Sequence, residues 1–381
     1  MQPNEHKRGY RYFEERYTAD IGFEAFGSTL EDLLVASAEA TMNIMVHDLS
    51  RIAFREEVLL QVEAESQEML LFDFLQELIL DLQVQLWVRR RELLSQMNAL
   101  RENPAYLPGV HLSECLEMST DLWEVLEAAS AVFLVVPSQY LRQVLHKARS
   151  AFPPNSMVVC ATKGIELESC KTMSQLVREE LEDLRPQLAV LSGPSFAKEV
   201  SRGLPAAVHV GARSEALRRK VQRLVSTPAF KAHPTRDAKG VELGGALKNV
   251  IALAAGMSDG LDLGSNARAA VMTRGLSEMA RLGSAMGATT KTFMGLSGMG
   301  DLVLTCTGDL SRNRRVGFRL GAGERLEEVT GPMHEVAEGV KTAQAAYRLC
   351  PQGDAAPIMK EVYRVLFEGR EPSKGLERML E

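Results

Sequence analysis

The spacing of apolar positions changes twice along the chain and divides it into three stretches. From about Tyr10 to Leu82 the pattern is mixed. Ile21, Phe23 and Ala25 alternate with Gly22, Glu24 and Phe26, the period of two that predicts a strand. Ser28-Thr29-Leu30-Glu31 has capping-box spacing and should start a helix. That helix should bury Leu30, Leu33, Leu34, Ala38, Met42 and Met45. Val58, Leu60 and Val62 alternate again and predict a second strand, and 69–82 reads as another helix with an apolar face. The stretch has α+β character.

From about Val84 to His233, short apolar runs alternate with helical segments. Strands are predicted at 84–88, 131–136, 157–161, 188–191, 206–210 and 230–233, with helices between them at, for example, 140–149, 171–181 and 215–226. This alternation predicts a mostly parallel, doubly wound α/β sheet. From about Asp237 onward no clear strand pattern remains, and Ala-, Met- and Leu-rich helices are broken by glycine clusters. The expected organisation is an α+β segment over 1–82, a nucleotide-type domain over 83–235 and an all-α substrate domain over 236–381. Only Gln83 separates the first helical stretch from the strand beginning at Val84, with no Gly, Pro, Asn or Ser to turn the chain.

Composition narrows the function classes. A chain of 381 residues holds two or three domains. Its net charge of −6 argues against non-specific binding to nucleic acid or anionic membrane. Cys115, Cys160, Cys170, Cys306 and Cys350 are scattered without a CxxC pair, the usage of reduced thiols in a cytoplasm rather than of disulfides or a zinc site. No apolar run is long enough to span a membrane, and the polar N-terminus is not a secretory signal.

The residue with most chemical content is Lys248, in Val241-Glu242-Leu243-Gly244-Gly245-Ala246-Leu247-Lys248-Asn249-Val250. Its helical neighbours are Gly244, Gly245, Ile251 and Ala252. A glycine costs a helix interior about 1 kcal/mol relative to alanine, so two together imply a close approach by something else. A desolvated lysine beside such a gap can protonate or polarise a carbonyl oxygen. The plainer alternative is a lysine that lays its stem along the helix with its head in water. Three further segments follow predicted strands, where ligands of doubly wound sheets bind: Ala161-Thr162-Lys163-Gly164, Ser192-Gly193-Pro194-Ser195 and Val136-Pro137-Ser138. Pro194 suits a first helical turn, whose free N–H groups can hold an anion. Arg89-Arg90-Arg91 ends the strand at 84–88, where arginine accommodates a ribose 2′-phosphate, the alternative being a solvated basic helix start. Ser311-Arg312-Asn313-Arg314-Arg315 offers dense donors matched to phosphate oxygens. Asp301 follows the glycine-rich Gly295-Leu296-Ser297-Gly298-Met299-Gly300 and is either a site carboxylate or a helix cap.

On these motifs the chain from about Val84 onward resembles the bacterial NAD(P)-dependent glycerol-3-phosphate dehydrogenases. The resemblance also rests on Leu86-Trp87-Val88, Arg101-Glu102-Asn103-Pro104-Ala105-Tyr106-Leu107-Pro108-Gly109, Leu304-Thr305-Cys306-Thr307 and Glu338-Gly339-Val340-Lys341-Thr342. It implies a Rossmann-type domain, NAD or NADP as cofactor, and dihydroxyacetone phosphate and sn-glycerol 3-phosphate as substrates. Lys248 then matches the catalytic lysine. Lys163, Gly193, Ser195, Lys248, Asp301, Ser311, Arg312 and Asn313 match the substrate site. Arg89, Arg90, Lys163, Ala197, Arg312, Val336 and Glu338 match cofactor contacts. A cytoplasmic homodimer, with neither membrane nor nucleic acid as partner, is the implied form.

That family opens with a strand, a Gly-x-Gly-x-x-Gly turn and a helix, and no such turn follows a strand here. The Rossmann-type domain is therefore expected to be incomplete, without its central strand and pyrophosphate cradle. In that place, Tyr10 to about Leu82 resembles the N-terminal part of archease, a family that assists RNA ligation in tRNA splicing. Tyr17-Thr18-Ala19-Asp20-Ile21-Gly22-Phe23-Glu24-Ala25-Phe26-Gly27, Asp48-Leu49 and Glu56 carry this resemblance. Archease usually has His where Tyr17 stands, and the acids that complete its metal site have no counterpart, which leaves Asp20 a lone candidate and no metal expected. The leading expectation is a glycerol-3-phosphate dehydrogenase. The alternatives are a fusion that keeps the substrate pocket with impaired cofactor binding, and an archease-like accessory factor of a tRNA-splicing ligase.

Overall fold

The computed structural model describes residues 9–13, 22–26, 28–45, 84–331, 337–350 and 356–381. The strand expected at Val58 to Val62, the helix over 69–82, and Tyr17, Asp20, Asp48, Leu49, Glu56 and Val336 lie outside the described residues. The chain divides into two compact units, Met1–Val84 with Cys115–Glu117, and Gln85–Glu114 with Met118–Glu381.

In the first unit, β1 (Gly9–Phe13) pairs antiparallel with β2 (Gly22–Phe26) in the register Gly9↔Phe26 to Phe13↔Gly22. β2 matches the alternation read from the sequence, whereas β1 lies where no element was expected. Helix α1 (Leu30–Met45) follows. Its N-terminus is capped one residue later than Ser28-to-Glu31 spacing implies. The Asp32 N–H donates to Thr29 Oγ1 at 3.0 Å, because Thr29 directly precedes the first helical residue. The buried line also differs. Leu30 is exposed, while Ala36, Ser37 and Ala40 are buried. Leu33, Leu34 and Ala38 are half-buried, and the side chains of Met42 and Met45 lie outside the described residues.

The second unit contains a five-stranded sheet. In chain order its strands are β7 (Ala131–Leu134), β8 (Met157–Cys160), β9 (Gln187–Ser192), β10 (Ala206–Gly211) and β11 (Phe230–Thr235), and they lie in the order β11-β10-β9-β8-β7. All pairs are parallel except β9 with β10. Successive residues of β8 serve opposite faces, as strand geometry requires. Val158 and Cys160 join the core beneath α2 (Leu141–Ala148) and α3 (Met173–Glu180), and Met157 and Val159 join the core beneath the later helix α5 (Glu215–Val225). Between α3 and α5 lies the short α4 (Ala197–Val200). Among the described residues β7 ends this sheet, and Phe133 and Val135 are exposed. β3 (Val84–Trp87) stands apart from it, paired with β6 (Leu116–Ser119), and β4 (Glu102–Asn103) pairs with β5 (Leu107–His111). β4, β5 and β6 were not expected from periodicity, since strands this short carry too few alternations to register.

The remainder is helical. α6 (Ala238–Gly260) is buried on every side from Gly240 to Ser258, which explains its lack of an amphipathic pattern. Around it lie α7 (Gly264–Ala285), α8 (Asp301–Thr307), α9 (Arg312–Gly321), α10 (Glu338–Leu349) and α11 (Pro357–Phe367). Two buried glutamates tie elements together. The Glu242 carboxylate accepts from the Ser174 N–H (2.6 Å) and hydroxyl (2.8 Å), which fastens α3 of the sheet layer to α6. Glu278 accepts from the Ile358 and Met359 N–H groups at 2.8 and 3.1 Å and so caps α11. Burial pushes both carboxyls up, Glu278 to about 7.

α6 and α9 meet through glycines. A Cβ on Gly256 would overlap the Arg314 carbonyl oxygen, and one on Gly317 the Leu253 carbonyl oxygen. Gly256→Ala is therefore expected to destabilise the protein by about 1–3 kcal/mol through overpacking, despite alanine's better helix propensity. Urea denaturation measures this, and an unchanged midpoint would show that the two helices have room to separate.

Candidate active site

Lys248 stands in the buried middle of α6, and the two glycines before it have a visible cause. A Cβ on Gly244 would lie 2.5 Å from the Ser297 carbonyl oxygen, and one on Gly245 would overlap Ser192 Oγ at the end of β9. The turn Leu296–Gly300 and the β9 tip therefore approach the helix backbone as the sequence implied. The turn is wound with π-helical spacing and delivers Asp301 as the first residue of α8.

Asp301 is the hub. One carboxylate oxygen accepts from Lys163 Nζ at 2.7 Å, and the other accepts from Lys248 Nζ in a closer contact. Lys248 also donates to Thr305 Oγ1 at 2.8 Å, and the Thr305 hydroxyl donates to the Asp301 carbonyl oxygen at 2.6 Å. Asp301 is a site carboxylate whose side chain does not cap its helix. Burial, with the neighbouring Lys163 charge, pushes the Lys248 ammonium down to about 8, while Asp301 acts in the opposite direction. Burial also opposes ionisation of Asp301, but the two lysines outweigh it and hold the carboxyl below its usual range.

Lys163 reaches this hub from the tip of β8. Thr162 Oγ1 donates to the Val136 carbonyl oxygen at 2.8 Å, which stitches the β7 and β8 tips together. Lys163 Nζ also donates to the Gly193 carbonyl oxygen (3.1 Å), which accepts from Ser195 Oγ as well (3.1 Å). Gly193 must be glycine, since a Cβ there would lie 2.8 Å from Val208 Cα. Pro194 does not open a helix as the sequence suggested. α4 begins at Ala197 and has only four residues, so the helical turn starts three residues beyond Pro194.

A second cluster borders the first. Asn313 Nδ2 donates to Asn249 Oδ1 at 2.9 Å, and Asn313 Oδ1 accepts from the Gly339 N–H at 2.9 Å. Ser311 caps α9 by accepting from the Arg314 N–H at 3.2 Å, and Arg312 is exposed at the helix start. At the start of α10, Glu338 accepts from the Ser138 N–H at 3.0 Å and from its hydroxyl. Burial pushes the Glu338 carboxyl up, against the pull of Ser138 and of the Arg312 charge. A Cβ on Gly164 would lie 2.5 Å from Ser138 Cβ and 3.3 Å from the Glu338 carboxylate, so the β7 tip, the β8 tip and α10 pack closely together there. Arg89 and Arg90 are exposed beyond β3. Arg90 donates to the Tyr106 hydroxyl at 3.3 Å, with its guanidinium 5.8 Å from the ring centroid.

Sequence reasoning assigned no role to Thr305 or Asn249, and it singled out Ser138 only as part of a strand-tip segment. Thr305 was accessible, being four residues from Asp301 on one helix face. Asn249 and Ser138 reveal themselves only through partners distant in the chain. Among the described residues no group of three or more His, Cys, Asp and Glu gathers to hold a metal.

Three family models match the chain. One described as NAD-dependent glycerol-3-phosphate dehydrogenase N-terminus covers residues 75–218, and its C-terminus counterpart covers 237–377. The Archease protein family model covers residues 10–113. A curated relative from Solidesulfovibrio magneticus, glycerol-3-phosphate dehydrogenase [NAD(P)+], is 49% identical over 300 residues, 78% of this chain and 91% of that protein. The enzyme of the same name from Maridesulfovibrio salexigens is 51% identical over 289 residues, 76% of this chain and 88% of the relative. Among solved structures, a glycerol-3-phosphate dehydrogenase from Coxiella burnetii superposes with a TM-score of 0.75 at 36% identity, over 78% of this chain and 91% of that one.

Proposed function

Because the chain belongs to the NAD-dependent glycerol-3-phosphate dehydrogenase family, we propose that it catalyses the reversible NAD(P)H-dependent reduction of dihydroxyacetone phosphate to sn-glycerol 3-phosphate, for glycerophospholipid synthesis. The observation that carries this reading is the buried cluster of Lys163, Asp301, Lys248 and Thr305. Lys248 gives its proton to the carbonyl oxygen as that oxygen becomes an alkoxide. An ammonium lowered to about 8 is matched to work near neutral pH. Asp301 and Thr305 engage two of its three N–H bonds and orient the third. Lys163, Gly193 and Ser195 border the substrate. Ser311, Arg312 and Asn313 hold the phosphate, for which a planar guanidinium is suited.

The donor set fits a nicotinamide dinucleotide at both ends. Arg89 and Arg90 offer cations beyond β3, compatible with NAD or NADP. Ala197, Val336, Glu338 and the shared Lys163 and Arg312 are read as the remaining contacts, and the meeting of the β7 tip, the β8 tip and Glu338 at Gly164 supports this reading. When bound, the cofactor supplies or accepts the hydride. For the pyrophosphate between those ends, the sequence contains no Gly-x-Gly-x-x-Gly turn.

The test is direct. Purified protein with dihydroxyacetone phosphate should consume NADH or NADPH, and the phosphate-free ketone should be a far poorer substrate. No turnover with either cofactor, beside an active relative, would defeat the reading. We also read residues 1–82, 83–235 and 236–381 as three domains and the enzyme as a cytoplasmic homodimer. Exposed Leu263, Leu310 and Phe318 support the dimer, which light scattering checks. No described helix is long and apolar enough to cross a membrane. The match over residues 10–113 favours a second reading, in which the first unit assists a tRNA-splicing ligase. Failure of the protein to stimulate such a ligase would remove it.

A further inference from the structure

The turn that delivers Asp301 has little of its own to hold it in place. Of Leu296, Ser297 and Met299, the non-glycine residues of Leu296–Gly300, only Ser297 is buried. Glycine-rich backbone has more conformations to lose than other backbone, so such a turn needs an external anchor. His209, on β10, meets Ser297 twice. Its Nδ1 lies 3.1 Å from Ser297 Oγ and accepts the Ser297 N–H at a longer 3.4 Å. A ring nitrogen that accepts an N–H carries no proton itself, so the ring is neutral and protonated on Nε2.

The ring is also sterically fitted to the turn. A Cβ on Gly295 would lie 2.7 Å from His209 Cε1. On the other side, the Ser297 carbonyl presses on Gly244, one helical turn before Lys248. The turn is thus clamped between β10 and α6 at Ser297, and its other buried residue, Gly298, packs on the Phe293 backbone. The polar neighbours of His209 in the sheet are Ser192 on β9 and His233 on β11, both directly in register with it. Burial first, then the His233 charge, holds the His209 ring below its ordinary range, which favours the neutral ring that the contact requires.

We propose that His209 is a positioning residue: by fixing Ser297 it sets the turn that places Asp301, and through Asp301 it sets the ammonium of Lys248. The proposal rests on Lys248 being the proton donor, but its test does not need turnover. Lys248 in the full-length protein is acylated with acetic anhydride across a pH range, and the modified peptide is quantified by mass spectrometry. In His209→Leu, Asp301 is released from its set position and Lys248 loses part of its counter-charge. Neutral amine then forms at lower pH, and acylation at pH 7 should rise about threefold to fivefold, the effect of half to one pKa unit below about 8. His209→Asn, whose amide oxygen stands near the place of Nδ1, should return the profile to within about twofold of the parent. Ser297→Ala removes a single hydroxyl and should shift the profile in the same direction. It carries the test if His209→Leu does not fold. An unchanged Lys248 profile in a folded His209→Leu or in Ser297→Ala overturns the proposal, as does failure of His209→Asn to restore it. A protein that shows these shifts without turnover would retain the positioning role while losing the dehydrogenase reading.

Discussion

Lys248→Met is expected to slow reduction of dihydroxyacetone phosphate by about 10²–10⁴-fold, the range for losing a positioned general acid. Methionine keeps the length of the side chain without its charge. Asp301 retains its contact with Lys163 at 2.7 Å, so the variant does not leave a buried carboxylate unpaired. Binding of glycerol 3-phosphate should fall much less than turnover, because Ser311, Arg312 and Asn313 are untouched. A variant with raised KM and unchanged kcat would show that Lys248 only binds. In the parent enzyme the direction of the pH effect follows from the group. Reduction needs the ammonium, so its rate should fall as pH rises through about 8, while oxidation of glycerol 3-phosphate, which needs the free amine, should rise over the same interval. Lys248→Met should abolish both limbs. Limbs that persist in the variant belong to another group.

The second large effect concerns the cofactor. Without a Gly-x-Gly-x-x-Gly turn, the backbone N–H groups that such a turn aims at a pyrophosphate have no counterpart in the sequence. Hydrogen bonds to a charged group are worth about 1.5–3 kcal/mol each. Two such bonds lost amount to a roughly 10²–10⁴-fold weaker Kd. Fluorescence titration with NADH should show that difference against the Solidesulfovibrio magneticus relative measured alongside. Glycerol 3-phosphate, bound by side chains that are all present, should differ by less than about tenfold. An NADH affinity equal to the relative's would mean that another part of the chain supplies the missing donors. Dehydrogenase chemistry would then need high cofactor concentration only if the expected weakness is found.

These two effects fall on opposite sides of what residues alone disclose. The close approach beside the lysine was legible because two glycines in a helix interior are costly and demand an explanation. The strands at 131–134, 157–160 and 206–211 were legible because β-branched runs bounded by turns act locally. The buried line of α1 was read in part: Leu30 is exposed, and Leu33, Leu34 and Ala38 are half-buried. Leucine spacing reports which face is apolar, but the closeness of packing selected Ala36, Ser37 and Ala40. The short helix after Pro194 is present but starts at Ala197, three residues later than Pro194 suggested: proline permits a first helical turn but does not compel one.

The sequence by itself determined the residue types, the strand and helix segments of the sheet and helical domains, the family resemblance and the absence of a phosphate-binding glycine turn. Tertiary structure alone decided which charges meet. Lys163 and Asp301 are 138 positions apart, Lys248 and Asp301 are 53 apart, and His209 and Ser297 are 88 apart. Local propensity extends over a few residues, whereas the pKa of a buried lysine depends on desolvation and on counter-charges that only packing brings within about 3 Å. The glycines mark where the two levels join: Gly244 and Gly245 were visible as an anomaly, and the fold showed Ser297 and Ser192 to be its cause.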